Sequence, residues 1–160
     1  MPADLTQDIL NSDVITLLTR AIPNPELISD EAANDSDKTL TVPSDQIWEI
    51  LWIHAELITT ATVNDRRIIV QFLDDSDDVI FELRLNADIE PSQTEFHVLL
   101  PGDQQKGAVG GGPVGGYVFG SIPRKSLLPP GYKVRIYDMN TIDPSADDLN
   151  IQMMVNRWDV

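Results

Sequence analysis

The chain has 160 residues, of which 26 are acidic and 11 are basic, and its formal net charge is −15 at pH 7. This length predicts one domain whose core needs neither disulfides nor a metal. The acidic balance argues against a protein that grips nucleic acid through its phosphates. The absence of cysteine excludes thiol catalysis, disulfide frameworks and thiolate metal sites. We expect no membrane span and no secretory leader, because no apolar run reaches about 18 residues and no basic stretch precedes a shorter one.

Residues 1–40 differ from the rest and are predicted to form an extended N-terminal arm with room for one short helix. From Asp4 to Ile22, five apolar residues recur at roughly helical spacing: Leu5, Ile9, Val14, Leu17 and Leu18. The Pro-Asn-Pro sequence that follows would end this helix, and Glu26–Lys38 is polar, acidic and poor in aromatic residues. Such an arm would order against its own domain or a neighbouring subunit, or remain a flexible terminus. Leu17 and Leu18 are therefore interface candidates.

The longest strongly patterned run, Thr41–Ala61, predicts a strand. From residue 47 to residue 58 both sets of alternating positions are largely apolar, so we expect burial on both faces. The strand would lie between two packed sheets or between a sheet and a neighbouring subunit. Trp48 and Trp52 are four residues apart and are expected to share a face. Together with Trp158 they are candidates for core or interface packing, since large aromatic side chains dominate such contacts.

Short, regularly spaced strands follow, each rich in β-branched and aromatic residues. They are predicted over residues 67–73, 79–85, 94–100, 117–123, 132–137 and 149–158. Asp74–Asp78 and Asp143–Asp148 are interpreted as solvated acidic turns. Gly102–Gly116 contains seven of the nine glycines and predicts a long mobile loop. Seven or eight strands with no convincing helix between them predict an all-β fold, an antiparallel β-sandwich of jelly-roll type over residues 41–160.

No residue pattern predicts a catalytic, cofactor or metal site. Gly110–Gly115 contains G-x-G-x-x-G but lacks the strand-turn-helix context of a dinucleotide site. Asp74–Asp78 could offer oxygen ligands to calcium, yet the EF-hand spacing fails. His54 and His97 have no ligand partner nearby in sequence and are expected to be half-buried packing residues. A catalytic triad formed by residues distant in sequence remains an alternative. Without a nucleophile elbow or a cysteine, however, we expect a protein that is not an enzyme.

Four motifs punctuate the region of predicted strands. Thr41–Pro43 gives T-V-P before the Trp-rich strand, and Thr59–Arg67 gives T-T-A-T-x-x-x-R-R after it. Leu128–Asp138 fits L-P-x-G-Y-x-[IV]-R-[IV]-Y-D, and Asp143–Leu149 fits D-x-x-A-D-D-[LM]. With these motifs, the region from residue 41 to residue 158 resembles small structural proteins that tailed bacteriophages encode among their virion genes.

The resemblance implies a β-sandwich component of a virion, with no catalytic residues and no cofactor. Within that group the expected role is head decoration, also called cement: a homo-oligomer, expected to be a trimer, bound to the major capsid protein on the outside of the shell. It would be soluble in the host cytoplasm before assembly and would bind neither nucleic acid nor membrane. The alternatives are a tail or neck adaptor, a fibre-associated sandwich, and a carbohydrate-binding module that uses the tryptophans.

Overall fold

Two packed β-sheets make up the part of the chain that a computed structural model describes, residues 22–85, 88–102, 108–109, 116–139, 143 and 145–160. These residues form eleven strands and no helix, which confirms the predicted all-β sandwich. The strands are β1 (Asn24–Asp30), β2 (Asp37–Thr41), β3 (Gln46–Ile58), β4 (Ile68–Leu73), β5 (Val79–Arg84), β6 (Thr94–Pro101), β7 (Ala108–Val109), β8 (Gly116–Ile122), β9 (Leu127–Leu128), β10 (Lys133–Asp138) and β11 (Asp148–Asp159).

The strand order is that of a jelly roll. The larger sheet has the order β1-β11-β3-β6-β8-β7, with β9 also paired to β3, and the smaller sheet has the order β2-β10-β4-β5. When β7, β8 and β9 are set aside, the first strand pairs with the last, the second with the seventh, the third with the sixth and the fourth with the fifth. The chain is therefore one long antiparallel hairpin wrapped into two sheets, as the sequence predicts.

One strand pair departs from the antiparallel prediction. β6 and β8 run parallel, with Glu95 opposite Gly116 and Pro101 opposite Ile122. Parallel neighbours need a connection of about a dozen residues or more, and the Gly-rich stretch between β6 and β8 has that length. Most of the mobile loop predicted over residues 102–116 lies outside the described residues.

The core fills the space between the two sheets with the inward side chains of the long strands. Fully buried members from β3 and β11 are Ile50, Ile53, Ala55, Leu57, Leu149, Ile151 and Val155. From the smaller sheet, Phe72 and Phe81 pack with ring centroids 5.0 Å apart. Burial of a large apolar side chain contributes about 1.5–3 kcal/mol relative to its exposure. β3 is central to this core because it pairs with β11, β6 and β9.

A β-bulge in β3 decides which face each of its tryptophans occupies. Two consecutive residues of β11 lie opposite Ile50 and Trp52, so Leu51 is an additional residue in β3. An additional residue shifts the alternation of side chains by one position. Trp48 therefore points into the core and is 4% exposed, whereas Trp52 points away from the core and is half-buried. The prediction that the two tryptophans share a face is wrong, because counting four residues along the strand does not include the bulge.

The acidic segment Glu26–Lys38, predicted as part of an extended arm, instead contributes to the sandwich. β1 is an edge strand of the larger sheet and β2 an edge strand of the smaller one. Lys38 anchors the turn between them: its side chain is fully buried, and its ammonium lies 3.1 Å from Asp30, 3.3 Å from Asp35 and 2.7 Å from the carbonyl oxygen of Ala32. Backbone pairing and this ion cluster hold the segment, so its low apolar content did not reveal the two strands.

Residues 1–21 lie outside the described part of the chain, and with them the predicted short helix and the interface candidates Leu17 and Leu18. Whether these residues form an arm separate from the sandwich stays a prediction. Among the described residues, no helix is long and apolar enough to cross a membrane.

Candidate functional site

The face of the larger sheet that points away from the core carries an apolar surface, which we call the outer band. Its six residues lie on five adjacent strands: Leu27, Trp52, Phe96, Val98, Phe119 and Met154. Met154 lies between Leu27 and Trp52 in the register of the sheet. One row further along, Val98 lies between His54 and Phe119. The band therefore extends across the sheet from β1 to β8.

Every residue of the outer band is partly accessible. Leu27 is 53% exposed, and the other five are half-buried. Scattered exposed apolar residues are normal on protein surfaces, but the solvent-facing side of an antiparallel sheet usually carries polar residues at alternate positions. Exposed apolar patches rimmed by polar residues mark sites of contact with proteins, membranes or ligands. The outer band is therefore the candidate functional site of this chain.

An aromatic contact joins the band to a neighbouring histidine. His54 stacks on Phe96, with ring centroids 6.0 Å apart and an angle of 21° between the ring planes. His54 is half-buried, as the sequence predicts. This stacking restricts the Phe96 ring, so holding that ring still on binding would cost less entropy.

Carboxylates border the band toward both ends of the central strands. The side-chain amide of Asn156 donates to Glu49 at 2.9 Å, and that of Asn150 donates to Glu56 at 3.2 Å. Each pair lies directly opposite across β3 and β11. An apolar centre with an acidic rim fits a partner surface that is apolar in its middle and basic at its margin.

The outer face of the smaller sheet carries paired charges, and its edge strand β5 also exposes the apolar side chains of Val79 and Ile80. Arg135 donates through Nε to Asp37 at 2.8 Å and lies over the ring of Tyr137, 4.3 Å from its centroid. Glu82 accepts hydrogen bonds from Gln71 and Arg84, each at 2.7 Å. The Gln71 hydrogen bond, followed by the Arg84 one, holds the pKa of Glu82 below its usual range. The charges of Arg135 and Glu82 are therefore paired with neighbouring side chains on this face.

The interface candidates predicted from sequence do not form one cluster. Trp48 is a core residue whose indole donates to Gln46 at 2.8 Å. Its side chain is therefore not available for contact with a partner. Trp52 is in the outer band, and Trp158 lies half-buried near the end of β11, opposite Ile47. Leu17 and Leu18 lie outside the described residues. Sequence reasoning missed Leu27, Phe119 and Met154, because their surface emerges only from strand order.

A buried ion pair links the two loops at one end of the sandwich. Arg66 and Asp147 are both completely buried, and Arg66 donates to the carboxylate at 2.9 and 3.3 Å. Arg66 also donates to the carbonyl oxygens of Thr62 and Asn64, while the backbone of Thr60 donates to Asp147 at 2.6 Å. The prediction that Asp147 belongs to a solvated turn is wrong, because a buried arginine needs a carboxylate partner.

The acidic turn Asp74–Asp78 agrees with its prediction as a solvated turn. In the connection between β4 and β5, Asp74 accepts hydrogen bonds from the backbone of Ser76 and Asp78, each at 2.9 Å. Local bonding of this kind accounts for the aspartate without a bound cation. Among the described residues, no group of three or more histidine or carboxylate side chains is placed to hold a metal ion.

His97 differs from its predicted half-buried state, because it is completely buried on the inner face of β6. Neither ring nitrogen has a hydrogen-bond partner among the described residues, and Nε2 lies 3.9 Å from the carboxylate of Glu95. Burial, with a smaller contribution from His54, lowers the pKa of His97 to about 4. Burial also raises the pKa of Glu95. The imidazole is therefore neutral at pH 7, and the pair is a local acid-sensitive point in the core.

Comparison with solved structures finds chains of viral particles that resemble this chain in structure. No family model matches the chain, and no curated protein matches it in sequence. A chain of the T13 particle of infectious bursal disease virus is 9% identical, with a TM-score of 0.37 over 84% of this chain and 32% of that one. The VP2 subviral particle of this virus is 11% identical, with a TM-score of 0.36 over 85% and 33%. The present chain thus spans about a third of the length of these viral proteins.

Proposed function

We propose that this chain is a structural protein of a virion, which works by binding other protein surfaces. The observation that carries the proposal is the outer band, a partly exposed apolar surface with an acidic rim on one face of the sandwich. The motif resemblance to virion proteins of tailed bacteriophages supports the same role. A binding function of this kind needs a rigid scaffold and a surface to be covered, and the sandwich supplies both.

Within that role, we propose a head decoration protein bound to the major capsid protein on the capsid exterior. The outer band would contact the shell and neighbouring copies, and the polar face of the smaller sheet would point to solvent. Copies would meet around a symmetry axis of the shell, with a trimer as the expected oligomer. The net charge of −15 would favour basic patches on the shell and keep the protein away from packaged DNA.

Replacing Trp52 by Lys is expected to abolish the stabilisation of capsids. The substitution places a charge in the middle of the outer band, where binding would bury it without a partner. Capsids that lack the protein should lose resistance to heat and chaotropes, and wild-type protein added back should restore it. Trp52→Lys protein should fail to do so at any concentration at which the wild type succeeds.

Thr39→Lys is the matched control, because Thr39 is exposed on the outer face of the smaller sheet. It adds the same charge to the opposite face and should restore capsid stability as the wild type does. Both variants should first show the cooperative unfolding of the wild type. Restoration by a folded Trp52→Lys variant would contradict the assignment of the band, and depletion without any change in capsid stability would contradict the decoration role.

The position of the protein in the virion separates decoration from the tail or neck alternative. A decoration protein should be distributed over the shell in a reconstruction of the particle. Density for this chain at a single vertex would instead support an adaptor, which would use the same band against a different partner.

A further inference from the structure

We propose that the outer edge of β5 is an interface between two copies of this chain, which pair their β5 strands antiparallel about a two-fold axis. The smaller sheets would then form one continuous sheet, with four strands from each copy. This contact uses a surface different from the outer band and is additional to the contacts expected around a symmetry axis of the shell. Only its consequence for attachment to a shell rests on the proposed function.

Hydrogen bonding within the smaller sheet indicates which backbone groups of β5 point to its outer edge. β5 is the last strand of its sheet, and among the described residues only β4 pairs with it. The N–H of Leu85 donates to the carbonyl oxygen of Ile68 at 3.0 Å. In an antiparallel pair, residues that exchange hydrogen bonds alternate with residues that do not. Leu83 therefore bonds to β4, whereas the backbone N–H and C=O groups of Glu82 and Arg84 point away from β4.

The charges along this edge are arranged for self-pairing. A two-fold axis through Leu83 places Glu82 of each copy opposite Arg84 of the other, with their outward backbone groups hydrogen-bonded. An axis through Glu82 or through Arg84 would place like charges opposite each other, which is destabilising. An axis through Phe81 would bring the bulge at Ile80 into the ladder. Charges on an edge strand usually prevent association, but these charges favour one register.

Apolar side chains lie along the same edge. Phe81 and Leu83 face the core and are only partly buried. In the two-fold pair, Leu83 would lie opposite Leu83 of the other copy, and Phe81 would lie opposite Leu85. Pairing would remove more of their apolar surface from water, which favours association.

The symmetry of the pair sets the direction in which the outer bands point. The two-fold axis is perpendicular to the sheet, so both copies would present the outer face of the smaller sheet to the same side. Their outer bands would consequently both point to the opposite side. Two bands on one side allow attachment at two points, and the second binding event is then intramolecular. On a shell, the dimer would therefore bind more tightly than a single copy.

Sedimentation equilibrium on the full-length protein tests the contact over concentrations up to the millimolar range. The salt concentration is about 0.15 M, so that charges more than about 8 Å apart are screened. The parent should approach the mass of a dimer. Arg84→Glu and Glu82→Arg each place like charges opposite each other twice, so each should weaken association by about tenfold or more. The two substitutions change the net charge in opposite directions, so altered net repulsion cannot explain a loss in both.

Restored complementarity provides the matched control. The double variant Glu82→Arg with Arg84→Glu has the net charge of the parent and again places opposite charges across the axis, so it should dimerise as the parent does. An equimolar mixture of the two single variants should form a heterodimer, although neither variant dimerises alone. Cooperative urea unfolding of each variant checks that it is folded.

A parent that stays monomeric at every concentration would overturn the proposal, as would single variants that associate like the parent. Assemblies larger than a dimer that the single variants abolish would indicate a head-to-tail edge contact and would also contradict the two-fold pairing. Binding to depleted shells is measured separately, and the parent should bind more tightly than the single variants. If the parent dimerises through β5 and binds no shell, the edge contact stands and the proposed function fails.

Discussion

Replacing Asp147 by Ala is expected to lower the free energy of unfolding by about 3–5 kcal/mol, because it leaves a buried guanidinium without its carboxylate. Asp147 is completely buried, accepts two hydrogen bonds from Arg66 and also accepts the backbone N–H of Thr60. The loss would approach the whole stability of a marginal domain. Urea denaturation at pH 7 measures it.

Two further variants test whether the loss of stability comes from the buried ion pair or from the removal of any negative charge. Asp75→Ala removes an exposed aspartate from the turn between β4 and β5 and should change stability by less than about 0.5 kcal/mol. Arg66→Lys keeps the charge but loses the planar group that also reaches Thr62 and Asn64, so it too should be strongly destabilising. A loss below 1 kcal/mol for Asp147→Ala would contradict the account of a buried ion pair.

Acidification from pH 6.5 to pH 4 is expected to remove about 3 kcal/mol of stability through His97 alone. The pKa of His97 is lowered from 6.5 to about 4 in the folded protein by burial, and His54 adds to the effect. The unfolded chain therefore binds the proton more readily over this interval, so stability falls as pH falls. From about pH 7.5 upward the imidazole is neutral in both states and the contribution is constant.

His97→Leu isolates this contribution from the other titrating groups. The variant lacks the imidazole, so its stability relative to wild type should increase by about 3 kcal/mol between pH 7 and pH 4. Glu95 acts in the opposite direction, because its raised pKa lets the folded protein take up a proton more readily than the unfolded chain as pH falls. The comparison is therefore repeated with Glu95→Gln in both proteins. A difference between His97→Leu and wild type that is independent of pH would show that His97 is not buried in a neutral form.

The jelly roll could be predicted because its strands carry their own signals. Alternation, β-branched residues and turn residues indicated the longer strands from Ile68 onward but not the two-residue strands β7 and β9, and the two-sided apolar run identified the central strand β3. β1 and β2 were missed, since edge strands bury few side chains and are held here by backbone pairing and by the buried ammonium of Lys38. The parallel pairing of β6 with β8 depends on a crossover whose path sequence alone does not fix.

The candidate site could be predicted only in part, because it is defined by the order of strands in the sheet. Trp52 was recognised from its own strand, but Leu27 and Phe119 join it only because β1 and β8 belong to the same sheet. The bulge at Leu51 places Trp48 and Trp52 on opposite faces of the sheet. No residue type in this stretch predicts a bulge. Burial of Asp147 was missed for a similar reason: its partner Arg66 is 81 residues away in sequence.

The two outer faces of the sandwich differ in character. One face carries the outer band, whereas the other carries charges that are paired with one another. A protein with one apolar and one polar face is suited to attach to a surface and to present its other side to water.

Labelling of single introduced thiols on assembled shells tests this orientation most directly. The natural chain has no cysteine, so Leu27→Cys and Thr39→Cys each provide one reactive site, on the outer band and on the opposite face respectively. In shell-bound protein, we predict that the thiol at position 27 is protected from a water-soluble reagent while the thiol at position 39 reacts as it does in free protein. Rapid labelling at position 27 with protection at position 39 would contradict the assignment of the outer band as the contact surface.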